Sequence, residues 1–356
     1  MSAESAAAQS TAATTDLRLV RTVRYAVGTT LAVALAMGVD WALSYLTPML
    51  ALAFLAPPAQ RPNPAVLVKF VGIVAVASIA GVVMSAALLM YPVAFLLIEG
   101  LILFLIFYRH ARGAPPLLTM WLMIAVTVIP VVALQSMDIT LAVARGLVVG
   151  AAVAMAVVWL AYALIPDPIA GEPGASAGAS GKEQPPLPSR ELCISQAAVN
   201  AIVVFPVVAL FLYLGLTSVL ILVFVALLSM QPDLATGKKA GKALVIGNAM
   251  GGVAAILVFE LLVMVPELYF LLLLTLIVGL SFGGRLFSGA PTGPLFGQAY
   301  STMLLVVLSA TSAFGEADAK AWTRVLQIIT AVVYLVAAHA AVRSLVGKSE
   351  TSNATT

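Results

Sequence analysis

Residues 66–90 read VLVKFVGIVAVASIAGVVMSAALLM, an unbroken apolar run whose only charge is Lys69. A helix rises 1.5 Å per residue, so about 20 apolar residues are enough to cross the ~30 Å hydrocarbon core of a bilayer. Runs of this kind recur along the 356-residue chain, which is 62% hydrophobic and only 9% charged, with a mean hydropathy of +1.10. That balance excludes a water-soluble globule, in which roughly half of the residues are apolar. A membrane barrel needs segments of about ten residues that alternate in polarity, and the sequence has none. The fold class is therefore all-α, a polytopic integral membrane protein.

Breaking the chain at its Pro, Gly and charged clusters places spans at 20–39, 41–56, 66–90, 92–107, 114–134 and 141–164. Six more follow at 196–214, 216–230, 242–265, 266–284, 294–314 and 322–345. About 12 transmembrane helices are expected, with a linker at 166–192 rich in Gly, Pro, Ser and charge. Residues 1–17 read as a disordered cytoplasmic tail. They are rich in Ala, Ser and Thr, lack an apolar core and lead into Arg18, Arg21 and Arg24, which makes a poor secretory signal. A plastid-type transit peptide is the lesser alternative there, and residues 347–356 form a second cytoplasmic tail.

The two halves look duplicated. YRHARGAPPL at 108–117 and GGRLFSGAPTGPL at 283–295 both place an arginine four residues before Gly-Ala-Pro, between the fourth and fifth helices of a half. Pro92 and Pro266 open the fourth helix of each half, and Arg145 and Arg324 lie just inside the sixth, with the offset drifting only from 174 to 179. The chain then divides into a first six-helix membrane repeat, 18–165, and a second, 193–346. An even number of helices per repeat makes the repeats parallel, related by an axis along the membrane normal.

Basic residues set the orientation. With both termini cytoplasmic, fifteen of the eighteen Lys and Arg fall inside, while Asp40, Asp138, Glu267, Glu316 and Asp318 fall on outer turns. This asymmetry accounts for the net charge of +3 and pI near 9.0 without nucleic acid as a partner. A single cysteine, Cys193, and two histidines, His110 and His339, build neither an internal disulfide nor a metal site. The phosphate-loop, HExxH, GxSxG and paired CxxC signatures are missing, and TGKKAGK at 236–242 reads as an orienting basic loop. No enzyme activity, metal or cofactor is expected, and a gradient or a partner must drive any uphill transport.

The residues that could carry transport are few. The second helix of each half is short, and the first of these contains Pro48, which marks either a helix break beside a polar pathway or a tilted helix packed in protein. Glu99, Glu260, Arg145 and Arg324 lie within apolar spans, where a charge costs roughly 2.5 kcal/mol or more unless paired or wetted. They form structural Glu–Arg pairs, or a site in which the arginines clamp an anionic substrate and the glutamates, Glu260 first and Glu99 second, exchange a proton, or solvated residues at helix ends. Gln298, Ser301 and Thr302, at i, i+3 and i+4, either line the pathway or bond to neighbouring helices. Gly247, Gly251 and Gly252 with Asn248 read as a close-packing helix face. Trp41, Trp159, Trp322 and Tyr45 read as interface anchors, and His339 as a satisfied neutral side chain.

RTVRYAVGTTLAVALAMGVDWALSYLTPMLALAFLAPP at 21–58, followed by KFVGIVAVASIAGVVMS at 69–85, resembles the fusaric-acid-resistance superfamily. That group includes bacterial aromatic carboxylic acid exporters and, more distantly, plant aluminium-activated malate channels, and the closest likeness is to a short bacterial branch. The resemblance implies export of aromatic or other organic acids across the bacterial inner membrane, beside a periplasmic adaptor of the membrane-fusion type. It carries over no catalytic residue. The long exporters have large soluble domains where this chain has only a linker and a tail. The partners implied are a small organic anion, the lipid bilayer and that adaptor, with self-association left open. The major facilitator fold also has six plus six helices, but PPAQRPNPAVLVK at 57–69 lacks its loop signature. A passive organic-anion channel and a non-transporting scaffold subunit of an envelope complex stay open as alternatives.

Overall fold

A computed structural model describes residues 3–56, 63–166, 189–214 and 238–311. The chain is built from helices α1 (Ala3–Val39), α2 (Leu46–Leu55), α3 (Pro64–Leu88), α4 (Pro92–Ala111), α5 (Pro116–Ala133), α6 (Met137–Leu164), α7 (Arg190–Leu214), α8 (Lys238–Met264), α9 (Leu268–Leu286) and α10 (Gly293–Thr311). Eight stretches among the described residues are long and apolar enough to cross a membrane, and Leu46–Leu55 and Leu118–Ala133 are shorter apolar helices. The protein is thus an all-helical, multi-pass membrane protein. The expected spans at 216–230 and 322–345, most of the linker and the C-terminal tail lie outside the described residues.

Starts and stops follow local chemistry. α3, α4 and α5 each open on a proline, whose missing N–H is one of the orphans of a first turn. α4 and α9 both run out in a turn with a left-handed glycine, Gly113 at φ 88° and Gly289 at φ 78°, four residues past Arg109 and Arg285. The helix begun at α1 extends back to Ala3, through the stretch read as a disordered tail. Ala and the other residues there include no Gly or Pro to interrupt a helix that the apolar span already nucleates.

The larger departure concerns 41–56, expected to be a spanning helix. Val39 ends α1, a turn runs from Asp40 to Tyr45, and α2 has only 10 residues, about 15 Å by its rise. Asp40 (φ 47°) and Leu43 (φ 60°) sit in the left-handed region, which is costly for a leucine. The turn is held by Ser44 N–H donating to the Trp41 carbonyl (2.9 Å), Leu46 N–H to Leu43 (3.0 Å) and Thr47 N–H to Ser44 (3.0 Å). Pro48 is the third residue of α2, so it starts the helix rather than breaking one.

The helices form two compact units, each drawing on both halves of the sequence. Among the described residues, one holds 3–56, 63–69, 149–166 and 242–311, which include α1, α2, most of α6, most of α8, α9 and α10. In it α1 runs antiparallel to α9. Ala26 packs on Gly279, Thr22 and Tyr25 on Gly283, and Arg18 reaches Gly289. Glycines one turn apart let the two backbones approach, which is how helices gain contact in lipid. α1 also runs antiparallel to α6. Gly28 meets Ala161, and the Arg24 guanidinium lies 3.9 Å from the centre of the Tyr162 ring and donates to the Ile165 carbonyl (3.2 Å). α2 brings the chain back, since Leu55 also lies against Gly28.

Among the described residues, the other unit holds 70–148, 189–214 and 238–241, which include most of α3, α4, α5, the start of α6 and α7. Here α7 runs antiparallel to α4, with Phe205 against Gly100 and the Cys193 thiol 3.6 Å from the Ala111 carbonyl. Both α5 and α7 also touch α4's neighbourhood directly, and each contains an internal proline, Pro130 and Pro206.

Candidate functional site

α4 turns one row of residues inward: Phe95, Glu99, Leu103, Ile106 and Phe107 are buried. The spacing of three and four residues is that of one helix face. Glu99 therefore enters the packed interior of its unit, where it is 0% exposed and neither carboxyl oxygen has a hydrogen-bond partner among the described residues. Pro130 and Pro206 withhold N–H groups from the carbonyls of Val126 and Ile202 one turn earlier in α5 and α7. The same unit buries three more polar atoms without partners among the described residues, Ser78 Oγ on α3, His110 Nδ1 on α4 and Trp121 Nε1 on α5. Unsatisfied groups are few in native proteins and costly in hydrocarbon.

The other expected charges are placed differently. Glu260 is exposed on α8, and Arg145 is exposed on α6. Neither they nor Glu99 form an ion pair among the described residues, so structural Glu–Arg pairing is not seen for these three. Arg324 lies outside the described residues, as do Trp322, His339, Glu316 and Asp318.

The polar stripe on α10 is turned to its neighbours. Gln298 Nε2 (3.0 Å) and Thr302 Oγ1 (2.7 Å) both donate to Asn248 Oδ1 on α8, and Ser301 Oγ lies 3.9 Å from the Met49 sulfur. The approach is permitted by Gly247, which faces Gln298, and Gly251, which faces Ala299 and Thr302. Asn248 Nδ2 is buried and has no acceptor among the described residues. The stripe therefore ties two helices together and leaves one oriented donor beside them.

Two further buried polar atoms lie beside the α1–α2 turn, Trp41 Nε1 and Thr47 Oγ1, both without partners among the described residues. Trp41 reads from sequence as an interface anchor, and Thr47 carries no sequence signal beyond its place before Pro48. Among the described residues no three His, Cys, Asp or Glu gather to hold a metal.

Residues 21–163 match the model of a family described as "Protein of unknown function (DUF2955)". No curated protein and no solved structure matches the chain.

Proposed function

We propose that the protein is a secondary transporter that exports organic acids, aromatic carboxylic acids foremost, across the bacterial inner membrane. In this reading Glu99 takes up a proton from one side and releases it to the other as the acid leaves. The observation that carries it is the burial of Glu99 with both oxygens unbonded. An intramembrane carboxyl at a cost of roughly 2.5–3.5 kcal/mol, with no arginine paired to it among the described residues, is a functional group by default. Glu99 therefore takes precedence over the exposed Glu260.

The resemblance to the fusaric-acid-resistance superfamily supplies the substrate class and the periplasmic adaptor. An internal duplication is supported by the way corresponding helices fall in opposite units. α1 and α7 do so, as do α4 and α9 and α5 and α10, with α1 packed on α9 and α7 packed on α4. The family match at 21–163 also covers nearly the whole of the first repeat and none of the second.

The test is export of benzoate from loaded proteoliposomes with and without an imposed pH gradient, for the parent and Glu99→Gln. The expected result is gradient-dependent accumulation by the parent and passive equilibration by the variant. Gradient-independent flux through the parent would favour the channel instead. No flux at all would favour the scaffold.

A further inference from the structure

The α1–α2 turn lies deep. Its Trp41 and Thr47 meet Gly150, where a Cβ would come within 2.7 Å of Thr47 Oγ1 and 3.4 Å of Trp41 Nε1. Gly150 is the fourteenth of the 28 residues of α6, about 20 Å from the helix's first residue by its rise. The turn is also enclosed, since Ala42 to Thr47 are all buried and Ser44 and Thr47 are 0% exposed. Irregular backbone at membrane depth survives only where protein covers it or where it lines a polar cavity, and broken helices at midplane are where transported solutes are held.

The strain in this turn has a chemical result. Several helical hydroxyls bond to the carbonyl four residues back, as Thr22 does to Arg18 (2.9 Å), Thr29 to Tyr25 (2.7 Å), Thr127 to Met123 (2.8 Å) and Thr140 to Ser136 (2.7 Å). For Thr47 that residue is Leu43, whose left-handed conformation aims its carbonyl at Leu46 N–H instead. The Thr47 hydroxyl is thereby released. Trp41 follows Asp40, the other left-handed residue, and its indole N–H, a donor only, comes to the same glycine. The Asp40 carboxylate accepts from Ser44 Oγ (3.1 Å) within the turn. Two strained residues thus support two unsatisfied donors at one point, beside the first turn of α2.

We propose that Trp41 Nε1 and Thr47 Oγ1 form a two-donor seat for a carboxylate oxygen of the transported acid, closed in this structure against Gly150. The seat rests on the organic-acid reading above. An indole N–H and a hydroxyl matched to two lone pairs would fix the carboxylate's orientation, and Gly150 leaves the approach free of a side chain. Relaxation of the strained turn would open the seat, and a bound oxygen would satisfy both donors.

The test is equilibrium binding of radiolabelled benzoate to the purified full-length protein in nanodiscs. Trp41→Phe keeps the ring and deletes the N–H, Thr47→Val keeps the shape and deletes the hydroxyl, and Thr47→Ser restores it. Trp41→Phe and Thr47→Val are each expected to raise Kd about tenfold, roughly 1.4 kcal/mol. Thr47→Ser should bind like the parent. Melting temperatures should be unchanged or higher in the first two, because removing an unsatisfied donor loses no bond. Benzoate binding that persists unchanged in both would overturn the seat and leave the organic-acid reading standing. A parent that binds no benzoate would remove both.

Discussion

Gly251→Ala and Gly252→Ala are adjacent substitutions for which the structure gives opposite signs. A Cβ at Gly251 would collide with the Ala299 carbonyl oxygen and lie 2.7 Å from Thr302 Cβ, whereas a Cβ at Gly252 meets nothing within 4 Å. Ordinary contacts begin near 3.4 Å, and a backbone oxygen cannot swing aside, so α8 and α10 must part by about 1 Å. Overpacking of this kind costs about 1–3 kcal/mol. Parting also stretches the Thr302 and Gln298 bonds to Asn248, worth ~0.6 kcal/mol each in a membrane helix pair. Exchanging Gly for Ala returns up to ~1 kcal/mol of helix propensity at either site. Gly251→Ala should therefore lose roughly 1–3 kcal/mol and Gly252→Ala should lose nothing or gain slightly. Unfolding of the purified protein in a graded series of SDS and mild detergent, followed by loss of helical circular dichroism, measures both. Equal stability of Gly251→Ala and the parent, or equal loss in the two variants, would refute the close approach of α8 to α10.

Reporter fusions after Gly113 and Gly171 are expected in the cytoplasm and one after Asp138 outside, because the basic residues collect at the Gly113 end of α4; a periplasmic signal at Gly171 would overturn the orientation. Cys193 is buried in α7 against the Ala111 carbonyl, so maleimide should label it slowly in native membranes and fully in SDS; equal rates in the two would place it at the surface. Glu99→Thr should fold like the parent and lose gradient-dependent benzoate export, since a threonine in a helix satisfies its own hydroxyl; wild-type coupling in that variant would remove Glu99 from the mechanism.

Much of the architecture was legible because punctuation in a membrane sequence is blunt. Pro92 opens α4, Gly113-Ala114-Pro115 separates α4 from α5, and Pro266 precedes α9. The α1–α2 region was not legible, because LTPMLALAFL is apolar on every side and hydropathy does not distinguish ten residues that return from sixteen that cross. The same uniformity hides which way an acid points. Glu99 and Glu260 sit in similarly apolar segments, and only packing shows that Glu99 shares a buried row with Phe95 and Leu103 while Glu260 is exposed. The Gln298 and Thr302 stripe was visible by its spacing, but its acceptor, Asn248, is fifty and fifty-four residues away.

On the proton-coupled reading proposed above, the buried faces of α4 and α9 account for a single acid. Phe95, Glu99, Leu103 and Phe107 on α4 correspond to Leu271, Thr275, Gly279 and Gly283 on α9, each pair 176 residues apart, and Arg109 and Arg285 keep the same spacing. On the duplication reading, Thr275 stands where Glu99 stands. Its carbonyl accepts from the Tyr300 hydroxyl (3.0 Å), and the glycines below it admit α1. That place is neutral, bonded and tightly packed, while its counterpart carries an acid whose oxygens meet no donor. Had the acid been needed to hold the fold, the same scaffold built around Thr275 would be short of it. On that reading one copy keeps the packing role and the other has a group with no packing role to perform, which is the division expected when a duplicated bundle needs only one proton per cycle.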